Sequence, residues 1–145
     1  MDVVILCGGL GSRLGEETIL KPKPMVKIGD KPILWHIMKY YSSYGYNRFI
    51  LPVGYKAQTI INYFQNEESD FFDTEEYNKW EVVLEDTGLS TLKSGRLKRI
   101  QKHVKTKIFH LTNGDGVCNV SIDKLVKFYN KNKKIGTLTA VHPPS

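Results

Sequence analysis

Residues 2–7 (DVVILC) are an apolar, largely β-branched run that stops at a pair of glycines. A short run of this kind, bounded by turn residues, predicts a buried strand. Residues 49–53, 81–84, 107–112 and 137–141 repeat the pattern and predict further strands. Pro52 lacks an amide hydrogen, so the second of these is expected to end there or to lie at a sheet edge. Between the strands the period changes. Ile33, Leu34, Ile37, Met38 and Tyr41 share one helical face. So do Ala57, Ile60, Ile61 and Phe64, and again Ile122, Leu125, Val126 and Tyr129, each set at i, i+3, i+4, i+7 spacing. Leu97, Ile100 and Val104 mark a shorter helix, and Ser121 is placed to cap the helix that follows it. Residues 66–79 (NEESDFFDTEEYNK) are acidic and aromatic without a clear period, and are expected to form a loop or an excursion from the sheet.

Strands alternating with helices predict βαβ units, a mostly parallel sheet and helices on both of its faces. Ligands of such sheets sit beyond the carboxyl ends of the strands. The segments after Cys7, Leu84 and Thr112 are therefore where chemistry is expected.

The chain of 145 residues is one domain's worth. Apolar residues make up 41% and charged residues 25%, which excludes a disordered chain, a collagen and a coiled coil. The apolar run near the start is far shorter than the ~20 residues of a membrane span. Asp2 stands where a signal peptide would carry basic residues. A cytoplasmic protein without membrane contact is expected. Cys7 and Cys118 have no C-x-x-C partner and are read as reduced thiols. A formal charge of +6 favours an anionic partner, either nucleic acid or a phosphorylated small molecule.

Three motifs narrow that choice. Gly8-Gly9-Leu10-Gly11-Ser12-Arg13-Leu14 follows the first strand. Glycines let backbone N–H groups approach a phosphate closely. The spacing is not the dinucleotide fingerprint, because Leu14 stands where the third glycine would fall. Nor is it a P-loop, which closes on Gly-Lys-Ser/Thr. Glycines alone make an ordinary turn, but Arg13 adds a bidentate phosphate donor. Next, Pro22 and Pro24 frame Lys23 and are expected to hold the backbone extended, which aims its ammonium group. Last, Asn113-Gly114-Asp115-Gly116 follows a predicted strand. Its carboxylate suits Mg²⁺, which is held by one or two carboxylates plus substrate phosphates; a plain Asp-Gly turn fits equally. Thr87-Gly88 and Ser94-Gly95 offer small polar groups for the edge of a base or sugar, or a helix cap.

The basic residues Arg96, Lys98, Arg99, Lys102, Lys105 and Lys107 alternate with Leu97, Ile100 and Val104, the pattern of a solvated amphipathic face. No nucleic-acid recognition motif accompanies them, so no nucleic acid is expected. His36, His103, His110 and His142 are scattered without metal-ligand spacing, and there is no Gly-x-Ser-x-Gly elbow.

In this order the motifs resemble the sugar-1-phosphate nucleotidylyltransferases, whose opening pattern is Gly-Gly-x-Gly-x-Arg-Leu followed by Pro-Lys-Pro. A finer resemblance, to the branch acting on CTP and glucose 1-phosphate, lies in residues 20–38 (LKPKPMVKIGDKPILWHIM), 86–88 (DTG), 94–100 (SGRLKRI) and 113–117 (NGDGV). The resemblance implies a Rossmann-like three-layer α/β/α fold with a mostly parallel mixed sheet, of the nucleotide-diphospho-sugar transferase type. It implies Mg²⁺-assisted in-line attack of the sugar phosphate on the CTP α-phosphate, giving CDP-glucose and pyrophosphate for bacterial surface polysaccharide such as O-antigen. Arg13 and Lys23 would act on the phosphates. Leu6, Gly8, Gly9, Gly11, Ser12, Thr87, Gly88, Ser94, Gly95 and Gly114 would line the nucleotide, and Asp115 would hold the metal. A homo-oligomer is expected of the full-length form. The alternatives are transfer from UTP, dTTP or GTP, or a non-catalytic nucleotide-binding fragment. Some positions depart from the family pattern. Ser12 replaces the usual Thr, Cys118 and Asn119 stand where an acidic residue is common, and residues 66–79 are shorter than the family region. Family members also continue past residue 145, with a second metal carboxylate and most of the sugar pocket. Truncation at the C-terminus is thus expected, leaving the whole of residues 1–145 as the N-terminal, nucleotide-binding part.

Overall fold

The structure is a computed structural model and describes residues 1–9 and 21–140. In chain order, β1 (Asp2–Leu6) is followed by a short ribbon of β2 (Lys27–Ile28) and β3 (Lys31–Pro32). Then come α1 (Ile33–Ser42), β4 (Arg48–Val53), α2 (Ala57–Gln65), β5 (Glu81–Asp86), α3 (Lys93–Ile100), β6 (Phe109–Asn113) and α4 (Ile122–Asn132). The main sheet has the order β5-β4-β1-β6, with every neighbouring pair parallel. The antiparallel member expected of a mixed sheet is not among the described strands; the antiparallel pair β2–β3 is a separate ribbon.

Alternation along the strands divides the core in two. Val3, Ile5, Phe49, Leu51 and Val53 face α1 and α2, where Leu34, Ile37, Met38, Ile60 and Phe64 meet them. Val4 and Ile50 point the other way, to Ile100 with Leu97 and Val104. The result is three layers, as expected. α1 buries Leu34, Ile37, Met38 and Tyr41, the predicted stripe. α4 starts as predicted, with Ser121 Oγ accepting from the Lys124 amide at 3.4 Å.

Residues 66–79 form turns outside the sheet, as expected, yet they are pinned. Phe71 enters the core and stacks on Trp80. The buried Glu76 carboxylate pairs with Lys39, and Asp70 with Lys27 at 3.2 Å.

One strand expectation holds and one fails. Of the two alternatives for Pro52 the strand end is the one found, since β4 stops at Val53 and lies between β1 and β5. Pro52 sits one residue from the strand end, where its carbonyl still accepts from the Cys7 amide at 3.2 Å and its missing donor is tolerated. Residues 137–140 are not a strand in the structure, and residue 141 lies outside the described part. β propensity expresses fit to a paired, half-buried surface. This stretch has no ladder partner among the described residues.

At the opposite end from the ligand side, Asp2 ties three segments together. It accepts from the amides of Lys105 at 2.6 Å and Thr106 at 3.2 Å, and pairs with Arg48 at 3.1 Å. Burial alone would raise its pKa, but these donors outweigh it and hold the carboxyl below its ordinary value.

Candidate active site

β4 and β5 lie on one side of β1 and β6 on the other, so the order in which strands are added reverses between β1 and β6, which run parallel. In open α/β sheets that switch point is where a crevice opens at the carboxyl ends of the strands. Gly8 and Gly9 leave β1 there, and Gly114 and Asp115 leave β6, with Leu6 and Asn113 in register. A cleft of about 520 Å³ lies above them, with Leu6, Gly8, Gly9, Lys23, Arg96 and Asp115 among its walls.

The glycines are required by close approach. A Cβ on Gly114 would stand 2.8 Å from Cys7 Sγ and 3.1 Å from Pro24 Cγ. The Gly114 amide bonds the Leu6 carbonyl at 3.0 Å, which zips β6 to β1 to the last residue. A Cβ on Gly8 would stand 2.2 Å from Arg96 Nη1. Gly9 has open space around it.

Lys23 opens the 3-10 turn Lys23–Met25, and Pro22 before it is extended with φ −66°. The Met25 amide returns to the Pro22 carbonyl at 2.8 Å. This brings the Lys23 ammonium, 15% exposed, to 3.9 Å from Asp115 Oδ2, whose side chain is 43% exposed. Such a half-solvated pair contributes at most about 1 kcal/mol. Both charges are open to a ligand.

Beneath them, burial and the Asp115 carboxylate push the Cys7 thiol well above its ordinary pKa. Cys7 is therefore a protonated packing residue at neutral pH, not a nucleophile. Among the described residues no three His, Cys, Asp or Glu side chains cluster to hold a metal by themselves. Among the described residues lining the cleft, Asp115 offers the one carboxylate, which suits Mg²⁺ shared with substrate phosphates.

Gly11, Ser12 and Arg13 lie outside the described residues. Thr87, Gly88, Ser94 and Gly95 are not among the cleft's walls, which residues 89–93 supply instead. Thr87 is fully buried, its hydroxyl donating to the Val53 carbonyl at 2.7 Å. Gly88 adopts φ +82°, in the left-handed region that admits glycine readily, and so turns the chain from β5 toward α3. Gly95 packs in α3, where an added Cβ would stand 2.9 Å from Thr91 Cγ2.

Arg96 corrects the reading of a uniformly solvated basic face. It is 4% exposed. Its Nη1 donates to the Val53 carbonyl at 3.0 Å and to Thr87 Oγ1 at 2.6 Å. Its Nη2 donates to the carbonyls of Gly8 at 2.7 Å and Leu89 at 3.2 Å. One guanidinium thus joins the ends of β1, β4 and β5 to the loop before α3. Burial lowers its pKa, with the Asp86 charge opposing, but a guanidinium stays protonated. The signal available beforehand was its i, i−4 and i, i+4 spacing to Leu92 and Ile100, which puts it near the apolar stripe.

No described helix is long and apolar enough to cross a membrane. Residues 2–145 match the family model for nucleotidyl transferases. The chain is 48% identical to the glucose-1-phosphate cytidylyltransferase of Salmonella typhimurium over 158 aligned residues, covering 99% of this chain and 62% of that protein. It is 38% identical to the probable glucose-1-phosphate cytidylyltransferase of Bacillus subtilis, covering 97% of this chain and 60% of that one. The crystal structure of HddC from Yersinia pseudotuberculosis complexed with GMP-PN superposes with a TM-score of 0.69 at 34% identity, over 88% of this chain and 53% of its own. The chain thus spans about three fifths of the length of these curated relatives. A fold with its crevice at the sheet's switch point, glycines at both strand ends and a match over nearly every residue lead to one assignment: the chain belongs to the nucleotidyl transferase family.

Proposed function

We propose that the chain binds CTP and forms the nucleotide half of a glucose-1-phosphate cytidylyltransferase. The observation that carries this reading is the cleft at the β1–β6 switch point, where a backbone turn, an ammonium group and a carboxylate face one volume. The two cytidylyltransferases among the relatives named above support this choice of base and sugar. The reaction joins a glucose 1-phosphate oxygen to the α-phosphorus of CTP as the bond to pyrophosphate breaks. Such a transfer needs positioning and charge neutralisation more than covalent chemistry, which matches a site whose thiol is buried and protonated.

The turn at Gly8 and Gly9 lets the triphosphate approach the backbone. Lys23, stiffened by its prolines, holds negative charge on the transferring phosphate. Arg13, by resemblance, steadies the departing pyrophosphate, and Gly11 and Ser12 complete the loop. Asp115 would hold Mg²⁺, which supplies charge neutralisation shared with the phosphate oxygens. Lys23 balances the Asp115 carboxylate until that cation arrives. The product would feed the synthesis of bacterial surface polysaccharide.

Titration calorimetry of the chain with CTP, with and without Mg²⁺, tests the reading, with CDP-glucose followed by mass spectrometry after glucose 1-phosphate is added. Binding of CTP that strengthens with Mg²⁺ is expected. A folded chain indifferent to CTP and to Mg²⁺ would overturn it, and preference for UTP, dTTP or GTP would reassign the base.

A further inference from the structure

Three cations border the cleft among the described residues, and two are already committed. Lys23 faces Asp115, and Arg96 is held by four acceptors. The third, Lys93, is the first residue of α3, exposed at the cleft wall. Its ammonium has no hydrogen-bond or ion-pair partner among the described residues. It lies one helical turn before Arg96, on the same face of α3.

The cleft has chemically different walls. Lys23 and Asp115 supply charge. The loop before α3 supplies Leu89 and Leu92, 58% and 79% exposed, with Ser90 and Thr91 between them, and Arg96 Nη2 joins this loop to Gly8. Two leucines left open to water beside a cleft offer a surface for a flat ring. A nucleoside triphosphate has the same polarity: a charged tail and a flat base. Its tail belongs beside Lys23 and Asp115 and its base against the leucines, which puts the base next to Lys93.

We propose that Lys93 reads the base. This inference rests on the CTP reading above and deepens it. An ammonium group has three donors and no acceptor. Cytosine offers two adjacent acceptors, N3 and O2, to such a group. Uracil and thymine carry a hydrogen on N3, so the ammonium meets a donor there and keeps O2 alone. Lys93 therefore favours cytosine over the other pyrimidines by the sign of one hydrogen bond. Arg96, with both terminal nitrogens engaged by the protein, instead fixes the wall from which Lys93 projects.

The test is calorimetry of the chain and its Lys93→Met and Lys93→Arg variants with CTP and with UTP, at fixed Mg²⁺. Lys93 is exposed, so both variants should melt as the parent does. The parent should bind CTP on the order of tenfold more tightly than UTP, and Lys93→Met should lose most of that ratio through weaker CTP binding alone, a size set by one charge-assisted hydrogen bond. Lys93→Arg, which keeps a charged donor, should regain part of the preference. Equal losses for CTP and UTP would make Lys93 a phosphate contact and overturn the proposal. So would an unchanged ratio in Lys93→Met, with the CTP reading left standing. A folded parent that binds neither nucleotide would overturn the CTP reading and this inference together.

Discussion

Replacing Arg96 by alanine should unfasten the cleft, and the structure sets the size of the effect. The substitution removes four bonds from a charged donor. Hydrogen bonds to charged groups are worth about 1.5–3 kcal/mol each. The acceptors, however, are not all orphaned. The Val53 carbonyl keeps the Thr87 amide and hydroxyl, and the Gly8 carbonyl keeps the Tyr55 amide at 3.3 Å. Leu89 is itself 58% exposed, so water can replace the guanidinium there. A net loss of about 3–4 kcal/mol is therefore expected, well below four full bonds. For a chain near this size that lowers Tm by roughly 6–16 °C. A double-mutant cycle isolates the cause. The three atoms nearest a Cβ on Gly8 all belong to Arg96, which its partners hold in place. Gly8→Ala alone should destabilise by about 1–3 kcal/mol through overpacking. In the Arg96→Ala background that penalty should nearly vanish. Thermal and urea denaturation followed by circular dichroism would measure both. Additivity of the two changes to within about 0.5 kcal/mol, or a Tm of Arg96→Ala within measurement error of the parent, would show that Arg96 does not hold these strand ends together.

Asp115→Asn should abolish the Mg²⁺ dependence of CTP binding while shifting Tm little, because the side chain is half exposed and its ion pair is 3.9 Å long; calorimetry with and without Mg²⁺, beside a melting curve, checks both parts. Gly114→Ala should cost about 1–3 kcal/mol by urea denaturation, since its Cβ would meet Cys7 Sγ and Pro24 in a packed site. Asp2 has a folded pKa below its unfolded value of about 3.8. Its stabilisation is complete above the unfolded value and is lost as pH falls through the lowered one. Acid titration of stability should thus be flatter in Asp2→Asn below about pH 4, and a parallel loss in both proteins would count against this.

The layers of the fold were legible because burial leaves a periodic trace. Strands β1, β4, β5 and β6 appear as apolar runs, and α1, α2 and α4 as stripes. Residues 137–140 are not a strand because an apolar alternation states a preference for pairing and not the presence of a partner. Pro52 told of a strand end but not that the strand is interior, because one missing donor is tolerated near the end of an interior strand. Within the site, Gly8, Lys23, Gly114 and Asp115 announced themselves through unusual spacing; the structure brings Gly8, Lys23 and Asp115 to one cleft and packs Gly114 behind it against Cys7 and Pro24. Arg96 did not, since nothing in a basic run tells which cation turns inward. Thr87 reads as a polar edge residue in sequence but serves Val53 and Arg96 in the fold. Those roles depend on partners 34 and 9 residues away, contacts that no local pattern encodes.

The two thiols differ in their access to water. Cys118 is exposed, whereas Cys7 is buried directly behind the Gly114 seam that closes β6 on β1. An alkylating reagent should label one cysteine at once and the other only when that seam parts. The unlabelled fraction then counts, molecule by molecule, how many clefts stay shut. Because Gly8 and Asp115 flank the seam, a nucleotide bound between them should slow the second labelling step and leave the first untouched. The molecule carries its own clock for occupancy of the site, readable by mass alone.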